Sequence, residues 1–78
     1  MKPAITWRDV NGREIAMLGD IEVGYVMASG GRKNRPRWLF ALVPLRTAEW
    51  KTERSVERAR LAVETMLGEW LRRAGLAD

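Results

Sequence analysis

The sequence predicts an α+β fold: an antiparallel β-meander of three to four strands, then one long C-terminal α-helix packed on one sheet face. Three observations predict it. Two tight-turn dipeptides, Asn11-Gly12 and Gly19-Asp20, punctuate alternating apolar and polar residues from Thr6 to Met27. An apolar run, Arg37-Trp38-Leu39-Phe40-Ala41-Leu42-Val43, ends at Pro44, which cannot donate to a β-ladder. From Val56 to Ala74, apolar residues recur at spacings of three and four, the period of an amphipathic helix. The 78 residues make one domain, with strands within 4–44, a basic loop at 29–37 and the helix at about 53–74.

The first turn fits a type I′ loop, because Asn and Gly tolerate positive φ at both positions. The second fits type II′, with Gly first. Two-residue loops then fix the register. Val10 faces Arg13, Trp7 faces Ala16, Leu18 faces Ile21, Ala16 faces Val23 and Glu14 faces Tyr25. Opposed residues share a face. One face collects Ile5, Trp7, Ala16, Leu18, Ile21, Val23, Tyr25 and Met27 and is the core side. The other collects Thr6, Arg8, Arg13, Ile15, Met17, Glu22, Gly24 and Val26.

Between the meander and the apolar run, Ser29 to Arg37 reads as a loop, broken by paired glycines, Asn34 and Pro36. The run at 38–43 is apolar on both faces, so alternation does not set its facing. Thr52 or Ser55 caps the helix, whose stripe is Val56, Ala59, Val63, Met66, Leu67, Trp70 and Ala74. Glu69 and Arg73 form an i,i+4 pair. Gly75 closes the helix as a left-handed C′ residue and sets Leu76 against Leu71. Trp7 and Trp70 are expected as core anchors, while Trp38 and Trp50 are open to either core or surface.

Composition narrows the function. With no cysteine and no histidine, a disulfide framework, a zinc knuckle, a thiol nucleophile and every His-based triad or metal site are excluded. Charged residues at 31% and hydrophobic ones at 46% suit a globular chain rather than a disordered one. No run is long enough for a membrane span and no apolar leader follows Met1, so a cytoplasmic protein without membrane association is expected. Asp9 and Glu14 oppose one another across the first turn and read as solvated carboxylates rather than an acid–base pair. Asp9, Asp20 and Glu22 lack the spacing of a calcium loop, and Gly30-Gly31 lacks that of a P-loop. The expectation is a non-enzyme with no cofactor and no metal.

The net charge of +4 is uneven: five arginines balance five acids from Thr52 onward, so the excess lies before it. Arg32, Lys33, Arg35 and Arg37 fall within six residues with no acid among them, a run that attracts phosphates or an acidic surface. The hydrophobic count is uneven too. One helix covers one face, yet Ile15, Met17 and Val26 sit on the other, rimmed by Arg8 and Arg13. Exposed apolar patches of that kind mark interaction sites. Docking on a partner protein or nucleoprotein complex through Ile15, Met17, Val26, Arg8 and Arg13 is therefore the leading expectation. A second is DNA or RNA binding, with Arg32, Lys33, Arg35 and Arg37 on phosphates and Trp38 stacking on a base. A third is a structural homodimer formed through the open face.

The order of landmarks carries a resemblance. Trp7, Ala16-x-Leu18-Gly19, Val23-Gly24-x-Val26 and Trp38-x-Phe40 precede a helix reading Ser55-x-x-x-Ala59-Arg60-x-x-Val63-Glu64, which ends Trp70-Leu71-x-x-Ala74-Gly75-Leu76. Over nearly its whole length the chain resembles a loose group of small uncharacterised proteins encoded by bacteriophages and proteobacterial prophages. The resemblance implies a phage accessory role, of which anti-CRISPR and other anti-defence inhibition is the most concrete form. It brings no catalytic or ligand residues with it. In architecture alone, a sheet backed by one helix is similar to the DNA-binding arm domains of phage integrases.

Overall fold

A computed structural model describes residues 5–42 and 49–75 of the chain. Strands β1 (Thr6–Val10), β2 (Arg13–Leu18), β3 (Ile21–Met27), β4 (Arg37–Phe40) and β5 (Lys51–Thr52) form one antiparallel sheet in chain order. Helix α1 (Val56–Arg73) follows and packs mainly on β3 and β4. The meander-plus-helix architecture is the expected one. The fifth strand is not: it lies beyond the 4–44 span, pairing Thr52 with Arg37 and Lys51 with Trp38. Two residues are too few to leave an alternation pattern.

The first hairpin follows its turn chemistry. Asn11 and Gly12 have φ of 54° and 81°, Val10 opposes Arg13, and Trp7 opposes Ala16. The second begins as expected, with Leu18 opposite Ile21 and Met17 opposite Glu22. There the register shifts, and Ala16 opposes Gly24 rather than Val23, while Glu14 opposes Val26 rather than Tyr25. Val23 is an extra residue, a β-bulge, and it reverses the facing of the rest of β3. The assignment of Tyr25 and Met27 to the core side, and of Gly24 and Val26 to the other, is thereby corrected.

Packing gives the reason. A Cβ on Gly24 would lie 2.7 Å from Val63 Cγ1, so the helix rests on bare backbone at this point. In the unshifted register a tyrosine hydroxyl would enter the core, where it needs a partner. On the far face the Tyr25 hydroxyl donates to Glu22 Oε1 at 2.7 Å.

The rows across the sheet are now determined. Under the helix lie Trp7, Ala16, Gly24 and Phe40 in one row, and Asp9, Glu14, Val26, Trp38 and Lys51 in the next. Facing away are Arg8, Ile15, Tyr25 and Leu39, then Val10, Arg13, Met27, Arg37 and Thr52, then Thr6, Met17 and Glu22. The core joins Ala16, Val23, Val26, Trp38 and Phe40 to Ala59, Val63 and Leu67. Thus Trp38 and Phe40 point to the helix and Leu39 points away.

Ser55 is the helix N-cap, its Oγ accepting the Arg58 N–H at 3.2 Å. The buried line runs Ala59, Val63, Leu67, with Leu71 packed beside it. These are steps of four, each advancing about 40° around the axis, and they leave Trp70 at the margin. Trp70 is 36% exposed, not a core anchor, and Ile21, also expected inside, is 57% exposed beside its turn. Two polar clamps hold the helix to the sheet. Arg60 Nε and Nη2 donate to the two Glu14 oxygens at 2.6 and 2.9 Å, and Trp7 Nε1 donates to Glu64 Oε2 at 3.3 Å. The bond to Glu14 raises the Arg60 pKa further above its ordinary value. Glu69 meets Arg72 at 3.6 Å instead of Arg73. Gly75 is left-handed as expected, at φ 73°; Leu76 lies outside the described residues.

Candidate functional site

The apolar patch expected on the face away from the helix is not there to be bound. Val26 is under the helix with no exposed surface, a direct result of the bulge. Ile15 and Met17 do point away from the helix, yet only 7% and 8% of their surface remains exposed. Cross-strand neighbours flank them: Arg8 and Tyr25 beside Ile15, Thr6 and Glu22 beside Met17. Arg8 and Arg13 are exposed, as a rim should be. Trp38, expected as a stacking residue, is 7% exposed and belongs to the core. Its Nε1 is buried with no hydrogen-bond partner.

What the uncovered face presents is aromatic and cationic. The Arg13 guanidinium lies 5.1 Å from the centroid of the Tyr25 ring, and that of Arg37 lies 4.5 Å from the centroid of Trp50. Trp50 is 37% exposed, and Tyr25 is half-buried. One member of each pair, the Tyr25 ring and the Arg37 guanidinium, is held by a further contact. The hydrogen bond to Glu22, with burial adding to it, raises the Tyr25 pKa above the ordinary 10.0. Arg37 Nη2 donates to Met27 Sδ at 3.2 Å, while its Nε packs where a Cβ on Gly30 would be 3.1 Å away. Sequence reasoning missed both rings. Tyr25 was displaced by a bulge that leaves no mark in the alternation, and Trp50 precedes a strand two residues long.

The basic loop sits at the end of this face and is folded rather than merely exposed. Arg32–Asn34 form a 3₁₀ turn in which Lys33 and Asn34 are left-handed, with φ of 53° and 59°. The Arg32 N–H donates to Thr52 Oγ1 at 3.0 Å, and the Gly31 N–H donates to the Arg35 carbonyl at 2.9 Å. The Gly30 N–H donates to Asn34 Oδ1 at 3.3 Å. Arg32, Lys33, Arg35 and Thr52 line a depression of about 400 Å³, with no acid among the described residues of its wall. Thr52 pairs with Arg37, so the depression adjoins the Arg37–Trp50 stack. A second groove, about 340 Å³, runs between α1 and β4 along Trp38, Leu61, Ala62 and Met66, with Leu61 56% exposed.

The carboxylates are engaged structurally. Asp9 Oδ1 accepts the Gly12 N–H at 3.2 Å, and Glu14 holds Arg60, so the two do not form an acid–base couple. Among the described residues, no group of three or more acidic side chains is placed to hold a metal ion, and no helix is long and apolar enough to cross a membrane. The arrangement provides flat rings, guanidinium planes and cations that pair with no acid among the described residues, the means to stack on bases and neutralise phosphates. Comparison with protein-family models, characterised proteins and solved structures finds no match to this chain.

Proposed function

We propose that the chain is a non-catalytic module that binds single-stranded nucleic acid on the sheet face opposite its helix. One observation carries this reading: the uncovered face holds Tyr25 and Trp50, each under an arginine, beside the Arg32–Arg35 loop. A base stacks on an aromatic ring or on a guanidinium plane, and both are present at each position. Width argues against duplex. Five strands about 4.8 Å apart span roughly 19 Å, whereas the major groove of B-DNA is about 12 Å wide. The face is too broad to enter it.

The test is fluorescence anisotropy with a labelled oligothymidylate at about 50 mM salt. Tyr25→Ala and Trp50→Ala are each expected to weaken binding by about 1–3 kcal/mol. The logarithm of affinity should fall with log salt at roughly −0.7 per phosphate contact. Absence of binding, or tighter binding to duplex, refutes the proposal.

Protein docking is kept as a second reading because of Leu61, which is more than half exposed beside the α1–β4 groove. In that form the partner, a host protein or a second copy, meets the helix side. Leu61→Asp would abolish it while leaving oligonucleotide binding intact. Either mode serves the accessory, anti-defence role that the resemblance to phage-encoded proteins implies.

A further inference from the structure

The loop depression has a more specific character than a patch of positive charge. Three cationic residues and Thr52 line it, and no ion pair among the described residues engages Arg32, Lys33 or Arg35. Thr52 Oγ1 already accepts the Arg32 N–H, which leaves its own proton to donate. The loop is also held at a cost. Lys33, a residue that rarely does so, is left-handed beside Asn34, and such a conformation persists only where the surroundings fix it. Those surroundings include Gly31, where a Cβ would lie 2.8 Å from both Thr52 Oγ1 and the Arg35 carbonyl oxygen. A solubilising loop tip requires none of this.

We infer that the depression is a site for a phosphate monoester, the terminal phosphate of a nucleotide strand. A monoester carries about −1.5 to −2 charges at neutral pH and three acceptor oxygens. An internal phosphodiester carries one charge and two free oxygens. Three cationic side chains and a hydroxyl-bearing one lining a single concavity match the first. The volume, about 400 Å³, is that of a small-ligand site and holds the attached sugar as well. The position agrees: the depression adjoins the Arg37–Trp50 stack through Thr52, so a strand crossing the rings would end there. The inference rests on the proposed sheet-face binding for its strand, but not for its phosphate.

The experiment separates the two. Thymidine 5′-monophosphate, thymidine and inorganic phosphate are titrated into the whole chain and followed by amide chemical shifts. The monophosphate should bind about tenfold or more tighter than thymidine, with shifts centred on residues 31–35 and 52, and inorganic phosphate should compete. R32Q/K33Q/R35Q should lose this binding, whereas R54Q/R72Q/R73Q, which removes the same charge elsewhere, should keep it. Circular dichroism checks that both variants are folded. Oligothymidylates ending in 5′-phosphate, 3′-phosphate or hydroxyl then show which end is read, and one phosphorylated end should be favoured at least fivefold by the wild-type chain alone.

Equal binding of monophosphate and thymidine, equal loss in both triple variants, or indifference to all three ends overturns the inference. So does tighter binding of a phosphoserine peptide than of the monophosphate. Monophosphate binding at the loop without oligonucleotide binding leaves the phosphate site standing and removes the sheet-face proposal.

Discussion

Gly24→Ala tests the register of the sheet and the seating of the helix together. The added Cβ would lie 2.7 Å from Val63 Cγ1, 3.4 Å from Val63 Cγ2 and 3.0 Å from the Leu39 carbonyl oxygen. Carbon pairs rest at about 3.5–4.0 Å, so Val63 has to withdraw by close to 1 Å. Rotation does not relieve it, because a helical valine has one strongly preferred rotamer. Overpacking of this kind costs about 1–3 kcal/mol. Gly24 has no positive φ, so alanine adds no backbone strain and offsets about 0.4–1 kcal/mol by restricting the unfolded chain. The net expectation is a loss of about 1–2 kcal/mol, a fall in Tm of roughly 5–15 °C for a chain this size. Val63→Ala alone should cost roughly 2 kcal/mol through two lost methyl groups and the space they leave. Combined, the new methyl occupies part of that space, and the double variant should be more stable than the sum by at least about 1 kcal/mol. Urea unfolding followed at 222 nm measures all four proteins. If Gly24→Ala matches the wild type, or the cycle shows no coupling, then β3 is not placed as described.

Other outcomes follow from single contacts. Glu14→Gln weakens the bidentate bond to Arg60 and should cost about 1 kcal/mol or less, since Arg60 is 39% exposed; the loss should shrink in 1 M NaCl, and an unchanged urea midpoint would show the clamp contributes nothing. Ser55→Ala removes the helix cap and should cost about 1 kcal/mol, largely restored by Ser55→Asp. Tyr25 is the sole tyrosine, so tyrosinate absorbance at 295 nm reads it alone, and its midpoint should lie above 10.0 in the folded chain and fall in Glu22→Ala. Because folding raises this pKa, the stabilisation is complete below the ordinary value and is lost as pH rises through the folded one. Tyr25→Phe should remove that pH dependence, and an unshifted wild-type midpoint would exclude the Glu22 contact.

Local chemistry was legible where one short signal decides one local outcome. Asn11-Gly12 and Gly19-Asp20 located both hairpins, Gly75 and one of two candidate caps, Thr52 or Ser55, bracketed the helix, and its apolar stripe contained the buried Ala59, Val63 and Leu67 along with the exposed Trp70. Facing across the sheet was legible only up to Val23, because a bulge is one uncounted residue and Val23-Gly24-Tyr25-Val26 alternates acceptably in either register. From that residue follow the misplacement of Tyr25, Met27 and Val26, whereas Ile15 and Met17 keep their expected facing but are almost fully buried. The basic loop was legible as charge but not as shape, since its concavity depends on Thr52, seventeen or more residues downstream of Arg32, Lys33 and Arg35. Trp50 was illegible for a similar reason: its place is set by Arg37 through the pairing of a strand too short to announce itself.

The stacks of Arg13 on Tyr25 and Arg37 on Trp50 have a thermodynamic corollary. A long side chain stilled on association gives up about 0.5–1.5 kcal/mol of rotamer freedom, and here Glu22 and Met27 already hold Tyr25 and Arg37, one member of each stack. That entropy is settled during folding, which leaves a ligand to meet a surface that is ready-made instead of one it must organise for itself.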